Sequence, residues 1–416
     1  MAERAVLVLA LVAALGGVPA ARAQDPAVPD TLAPLPSDSL LEFPAIPAGA
    51  IAAPTEASGG PWLIEPLGWK GFTLQHYNRV DGLTPAWGLA LQPVDPARTP
   101  AIGARLAAAT SHERLYWHLW IEQRLPLPGA VLARAEHFHR TTTFDDWKVS
   151  VRENDASTFL AASDLLDWWR ERGYRLSLDA ETGGGTLGGR VSVFGAAQHS
   201  EPNRSPFALF SEENYRANPP VAEGTLRSVS LQVRVDTRDV QSPLLPAPGW
   251  SATGEWERSG GWLGGALDFS RVTADVRRYT RLGGDAWWDT RLVWMGALDG
   301  DGVPPQRRVN LGGPGSLRGF PASSFTGPEG IQGSTEVRVP LPLPDRLALL
   351  LLSWHAVGFA DVGSVGAYET WHADVGAGLS GLNIFTYIGV FVAQRVTDRD
   401  EPASGPRIVV RLRRDF

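Results

Sequence analysis

The feature that most limits what this chain can become is a recurring segment of about ten residues in which apolar and polar side chains alternate. Gly, Pro, Asp and Asn separate one such segment from the next. A strand sends successive side chains to opposite faces, so each segment has one apolar and one wet face. In one of them Val229, Leu231, Val233 and Val235 oppose Ser228, Ser230, Gln232, Arg234 and Asp236. In the last, Ile408, Val410, Leu412 and Phe416 oppose Arg407, Arg411, Arg413 and Asp415, while Arg414 breaks the rule. Downstream of the first 23 residues no apolar run reaches the length a membrane-crossing helix needs. Ten alternating residues are instead the length of a tilted transmembrane strand.

Sixteen segments are countable, the first over residues 70–79 and the last over 406–416. Those at 266–279 and 384–394 alternate poorly. An even number allows closure with both termini on one side, and the pattern predicts an all-β, sixteen-stranded antiparallel transmembrane β-barrel. Residues 72–77 should then pair with 408–412, because an open edge in lipid leaves backbone groups unsatisfied. Long connections follow the fifth, seventh and eleventh segments (142–172, 201–224 and 299–330) and belong to one side; short Gly- and Pro-rich turns belong to the other. Within the first long connection, residues 157–172 set Asp164 among Leu160, Leu165, Leu166, Trp168 and Trp169. This reads as a short amphipathic helix packed over the barrel mouth, with membrane contact by the paired tryptophans as the alternative.

The start of the chain has Arg4, an apolar run over 5–18 and Ala21-Arg22-Ala23, which reads as a cleaved secretory signal over 1–23. Residues 24–64, rich in Pro and Ala, lack the apolar surface to offset chain ordering and read as a linker, leaving 65–416 for the barrel. Cysteine is absent, so neither disulfides nor thiolate chemistry are available. A formal charge of -7 argues against a nucleic-acid partner.

One stretch refuses the strand pattern. Residues 309–320 read Val-Asn-Leu-Gly-Gly-Pro-Gly-Ser-Leu-Arg-Gly-Phe, too rich in Gly and Pro for a strand interior. The loop must fold tightly, and its one charge, Arg318, is a planar donor fork that seeks carboxylates. Gly313-x-Gly315-x-x-x-Gly319 is no phosphate loop, since no Lys-Ser/Thr follows it. His137 and His139 share a strand face without a visible third ligand, so metal binding is not expected.

The Gly-Gly-x-x-Ser-Leu-Arg-Gly-Phe pattern resembles the Arg-Gly-Phe/Tyr loop of the bacterial surface antigen superfamily, the outer-membrane barrels that include BamA/TamA-type insertases and two-partner secretion transporters. Further matches are Asp236-Thr237-Arg238-Asp239 with Gly249, like the family's Asp-x-Arg-Asp turn, Glu336 and Asp361, like the carboxylates of its twelfth and thirteenth strands, and residues 77–82. The resemblance implies an external loop between strands eleven and twelve that folds inward, with Arg318, Gly319, Phe320, Glu336 and Asp361 as a loop lock. It implies an integral protein of the bacterial outer membrane that assists insertion or translocation of polypeptide or lipid through a seam between first and last strands. Expected partners are outer-membrane lipid, unfolded outer-membrane or secreted polypeptides, and separate periplasmic subunits, with no cofactor, no nucleic acid and no enzymatic step. The linker over 24–64, on the periplasmic side, is too short for the polypeptide-transport-associated domains usual in the family. That departure leaves a passive porin or structural barrel as the alternative.

Overall fold

The computed structural model describes residues 61–182, 185–204, 206–211, 214–238, 247–298, 302–342, 353–382, 387–398 and 405–412. The signal over 1–23, the linker up to residue 60 and Asp239 lie outside the described residues.

Alternation becomes one large antiparallel sheet of 17 strands. In chain order these are β1 (Trp62–Pro66), β2 (Phe72–Asn78), β3 (Gly82–Pro93), β4 (Ala101–Ala109), β5 (Arg114–Leu125), β6 (Ala130–Thr142), β7 (Trp169–Glu181), β8 (Leu187–Ser200), β9 (Gly224–Asp236), β10 (Gly249–Ser259), β11 (Phe269–Gly283) and β12 (Ala286–Ala297). After the two short strands β13 (Val309–Leu311) and β14 (Phe325–Gly327), which form a ribbon of their own, come β15 (Gly330–Pro340), β16 (Ser353–Val365), β17 (His372–Leu382), β18 (Tyr387–Arg395) and β19 (Arg407–Arg411). Each strand from β2 to β12 pairs with the next, β12 pairs with β15, and the meander continues to β19.

The side chains are sorted inside out relative to a water-soluble domain. Leu178, Val191, Leu231, Val375 and Val390 are exposed, while Arg105, Glu171, Asp289, Arg291 and Arg338 are buried. An apolar outer face with charge within is the pattern of a sheet that meets lipid. Among the described residues no helix is long and apolar enough to cross a membrane.

Three departures from the sequence reading concern the ends of elements. First, β1 starts at Trp62, inside the stretch read as linker; it pairs with residues 89–93 of β3, and β2 pairs with residues 82–87 of the same strand. The break between β1 and β2 falls at Gly68, Lys70 and Gly71, all with positive φ. Second, the ladder expected between residues 72–77 and 408–412 is not present among the described residues: β2 has β3 as its partner and β19 has β18. The register of β2 shifts between Leu74 and Tyr77, and the Leu412 amide, just past the end of β19, donates to a side chain, Glu153.

Third, the helix lies at α1 (Val151–Ala161), not at 157–172. The Ser150 hydroxyl accepts from the Glu153 amide and fixes the start, and Ala162 turns left-handed at φ 53 and ends it. Past that point the Asp164 carboxylate accepts from the Arg79 backbone amide and the Trp168 indole, and Trp169 opens β7 against Ser200. Those long-range partners outweigh the apolar spacing that suggested a helix. Trp168 and Trp169 are both buried, so neither faces lipid.

Candidate functional site

The loop between β12 and β15 folds back on itself because of its glycines. Gly312 and Gly313 have φ of 109° and 96°, and a Cβ at Gly312 would lie 2.2 Å from the Pro321 carbonyl oxygen. The Gly313 amide donates to the carbonyls of Leu317 and Phe320, and the Phe320 amide to Leu317, so Arg318 and Gly319 form the tip of a tight turn. Leu317 and Phe320 anchor that tip in an apolar cluster with Val293, Met295, Val309 and Leu311.

At the tip, the Arg318 guanidinium meets two carboxylates. Its Nε and Nη2 donate to Asp361 Oδ2 and Oδ1 at 2.7 and 3.0 Å, a bidentate fork, and its Nη1 donates to Glu336 Oε2 at 2.9 Å. All three groups are buried. The Phe359 ring lies under the guanidinium with its centroid 3.5 Å away. Burial alone would lower the affinity of Arg318 for its proton, and the paired Asp361 and Glu336 reverse that and hold it above the usual arginine range.

Sheet register explains the convergence. Glu336 lies opposite Phe359, and Asp361 lies opposite Asp374, which lies opposite Arg395. Asp361, Asp374 and Arg395 therefore form one row across β16, β17 and β18, beside the pair Glu336 and Phe359. Arg395 donates from Nε to the Gly319 carbonyl at 3.1 Å and stacks over Phe320. A Cβ on Gly319 would lie 2.7 Å from the Asp374 Cβ, so glycine is what lets the turn reach the wall. The sequence reading missed Asp374 and Arg395; their signal was available in the inward positions of adjacent strands. Phe359 has room for its ring because its neighbour across the ladder is Gly376, where a Cβ would lie 2.3 Å from the ring.

One more contact extends the set. Arg411 on β19 donates from Nη1 to the Pro314 carbonyl at 2.7 Å. The loop thus touches each of the last five strands, through Glu336 on β15, Asp361 on β16, Asp374 on β17, Arg395 on β18 and Arg411 on β19.

The Asp-x-Arg turn is a separate feature. The Asp236 carboxylate accepts from the Arg238 amide and side chain, Arg238 lies over the Tyr279 ring, and Gly249, at φ 142, closes against Arg238. This turn joins β9 to β10 and makes no contact with the Arg318 cluster among the described residues. Residues 77–82 form a third site: buried Arg79 donates to the carbonyls of Asp164 and Leu166 and pairs with Asp164, tying the β2–β3 turn to the segment that follows α1. Among the described residues no group of His, Cys, Asp or Glu is arranged to hold a metal ion.

Residues 211–381 match the Omp85 superfamily domain, in agreement with the resemblance carried by the Arg-Gly-Phe loop. Among solved structures, BamA from Haemophilus ducreyi lacking POTRA domains 1-3 is similar with a TM-score of 0.55 at 14% identity, over 80% of this chain and 68% of that one. CdiB from Acinetobacter baumannii matches with a TM-score of 0.42 at 14% identity, over 80% of this chain and 58% of that one. CdiB from Escherichia coli matches with a TM-score of 0.41 at 13% identity, over 84% and 66%. The likeness to BamA is one of fold. No curated protein sequence matches the chain.

Proposed function

We propose that this chain, which carries an Omp85 superfamily domain over residues 211–381, is an integral outer-membrane barrel that assists polypeptide in entering or crossing the membrane at a seam between its first and last strands. Counting β1 and β2 as one interrupted strand gives sixteen, and in this reading the seam lies between the edge of β2 and the edge of β19. A strand edge carries unpaired backbone donors and acceptors, and an incoming strand adds to such an edge by augmentation. In this reading the chain does no covalent chemistry. Its partners are membrane lipid and unfolded polypeptide, brought by separate periplasmic subunits.

The observation that carries the reading is the reach of the Arg318 loop. By touching β15 to β19 together it fixes the last five strands as one wall, so movement is concentrated at the edge of that wall rather than distributed through it. A passive pore has no use for a buried, charge-paired loop that braces only one side of its seam.

The test is reconstitution of the full chain in lipid vesicles with an unfolded outer-membrane polypeptide and a protease-protection readout. Wild type should protect the polypeptide, and Arg318→Ala should lose that activity while still migrating as a folded, heat-modifiable barrel. Equal protection by wild type, Arg318→Ala and empty vesicles would leave a passive barrel in its place.

A further inference from the structure

The two outermost edges of the sheet are tied to the same helix. At the β19 edge, Glu153 Oε1 of α1 accepts from Arg411 Nε at 2.7 Å and from the Leu412 backbone amide at 3.0 Å. Both Glu153 and Arg411 are buried. At the β2 edge, the Phe159 ring of α1 meets the Tyr77 ring edge-on, centroids 5.3 Å apart. The Tyr77 hydroxyl donates to the Phe207 carbonyl, and the Phe207 ring lies 6.3 Å from Phe159. The six residues from Glu153 to Phe159 advance about 9 Å along a helix, roughly two strand spacings. One helix is therefore long enough to reach from one edge to the other.

The two grips differ in kind. Phe159 packs in an aromatic group, which tolerates sliding, whereas Glu153 is one carboxylate holding the side chain that ends the last strand and the main-chain amide that follows it. The Leu412 amide is a backbone donor of the sort a neighbouring strand would engage. The start of the helix is backed by the inward loop, since a Cβ at Gly315 would lie 1.7 Å from the Lys148 carbonyl oxygen, and Arg411 bonds that loop at Pro314 as well as Glu153.

We infer that α1 is a latch across the seam: it holds β19 through Glu153 and β2 through Phe159, and the seam widens when Glu153 releases Arg411 and the Leu412 amide. The inference rests on the seam reading above and names what regulates it. An incoming strand must displace a carboxylate before it finds that backbone donor. The latch sits in the connection between β6 and β7, far in sequence from both strands that it joins.

The absence of cysteine makes the test direct. Spin labels on Leu74→Cys in β2 and Val410→Cys in β19, both outward positions, report the width of the seam in the full chain in lipid nanodiscs. Glu153→Ala should add a population longer by at least one strand spacing, about 5 Å, and Phe159→Ala should do the same from the other grip. Should Glu153→Ala fail to give a heat-modifiable barrel, Glu153→Gln, which keeps the shape and loses the charge, and Phe159→Ala decide the matter. Wild-type distances in the folded variants overturn the latch. A widened seam with no polypeptide protection keeps the latch and sinks the functional reading; protection with unchanged distances does the reverse.

Discussion

Arg318 shows how much one side chain can organise. Its guanidinium is buried against Asp361 and Glu336, and removing one partner of such a cluster strands the others in a medium that cannot solvate them. Arg318→Ala should therefore destabilise the loop by about 3–5 kcal/mol, seen as protease cleavage within residues 309–320 at denaturant concentrations that leave wild type intact. Arg318→Lys keeps the charge but not the fork, and should recover only part of that protection. Cleavage rates equal to wild type in Arg318→Ala would show that the cluster does not hold the loop. Gly319→Ala tests the approach rather than the charge, since its Cβ would lie 2.7 Å from the Asp374 Cβ; it should loosen the same loop with Arg318 intact. In the sequence, glycines marked the loop that carries Arg318, and Glu336 and Asp361 were legible as its partners through the family resemblance. Asp374 and Arg395 could be read as inward positions of their strands but not as partners of this loop, because that place depends on cross-strand register, which a single sequence does not state.

Among the elements, α1 is where reading by apolar spacing failed. Leu160, Leu165, Leu166, Trp168 and Trp169 look helical in spacing, yet all but Leu160 lie beyond the left-handed residue Ala162, and Leu166, Trp168 and Trp169 are buried. The better signal was Ser150-x-x-Glu153, the spacing of a capping box, and the Ser150 hydroxyl does accept from the Glu153 amide. Ser150→Ala should cost the helix about 1 kcal/mol, read as faster hydrogen exchange at the Glu153 amide. Asp155 gives α1 a pH dependence. Burial pushes its carboxyl up to about 8, against the pull of the Tyr77 backbone amide and Arg152. A carboxyl whose folded value is raised favours folding while protonated: its contribution is full below the ordinary value of 3.8 and is lost as pH rises through about 8. Protease cleavage within residues 143–168 should therefore increase between pH 6 and 9, and Asp155→Asn should flatten that rise. An unchanged rise in Asp155→Asn would assign the pH dependence to another group.

At the scale of the whole molecule, the period of two marked most strands of the meander but not β11 and β18, whose segments at 266–279 and 384–394 alternate poorly; a sheet with one apolar and one charged face cannot slip by one residue without inverting both. What it did not reveal was the treatment of the edges, where β1 adds to β3 beside β2 and where a side chain of α1, rather than a strand, takes the Leu412 amide. The same period makes a prediction that separates a membrane barrel from any soluble sheet. Leu231 and Ser230 are neighbours on β9 with opposite surroundings: Leu231 is exposed on the apolar face, and Ser230 lines an interior cavity of about 340 Å³ together with Glu255, Glu257 and Arg190. An arginine on the lipid face near the bilayer midplane costs about 2–4 kcal/mol, whereas an arginine reaching into the cavity finds carboxylates and room. Leu231→Arg should therefore lower folding stability in lipid vesicles, measured by urea titration, by about that amount, and Ser230→Arg by much less. In detergent-free water the order has no reason to hold, since Leu231 would then gain from becoming charged. Equal costs at the two positions in lipid would mean that the apolar face of β9 does not meet the membrane.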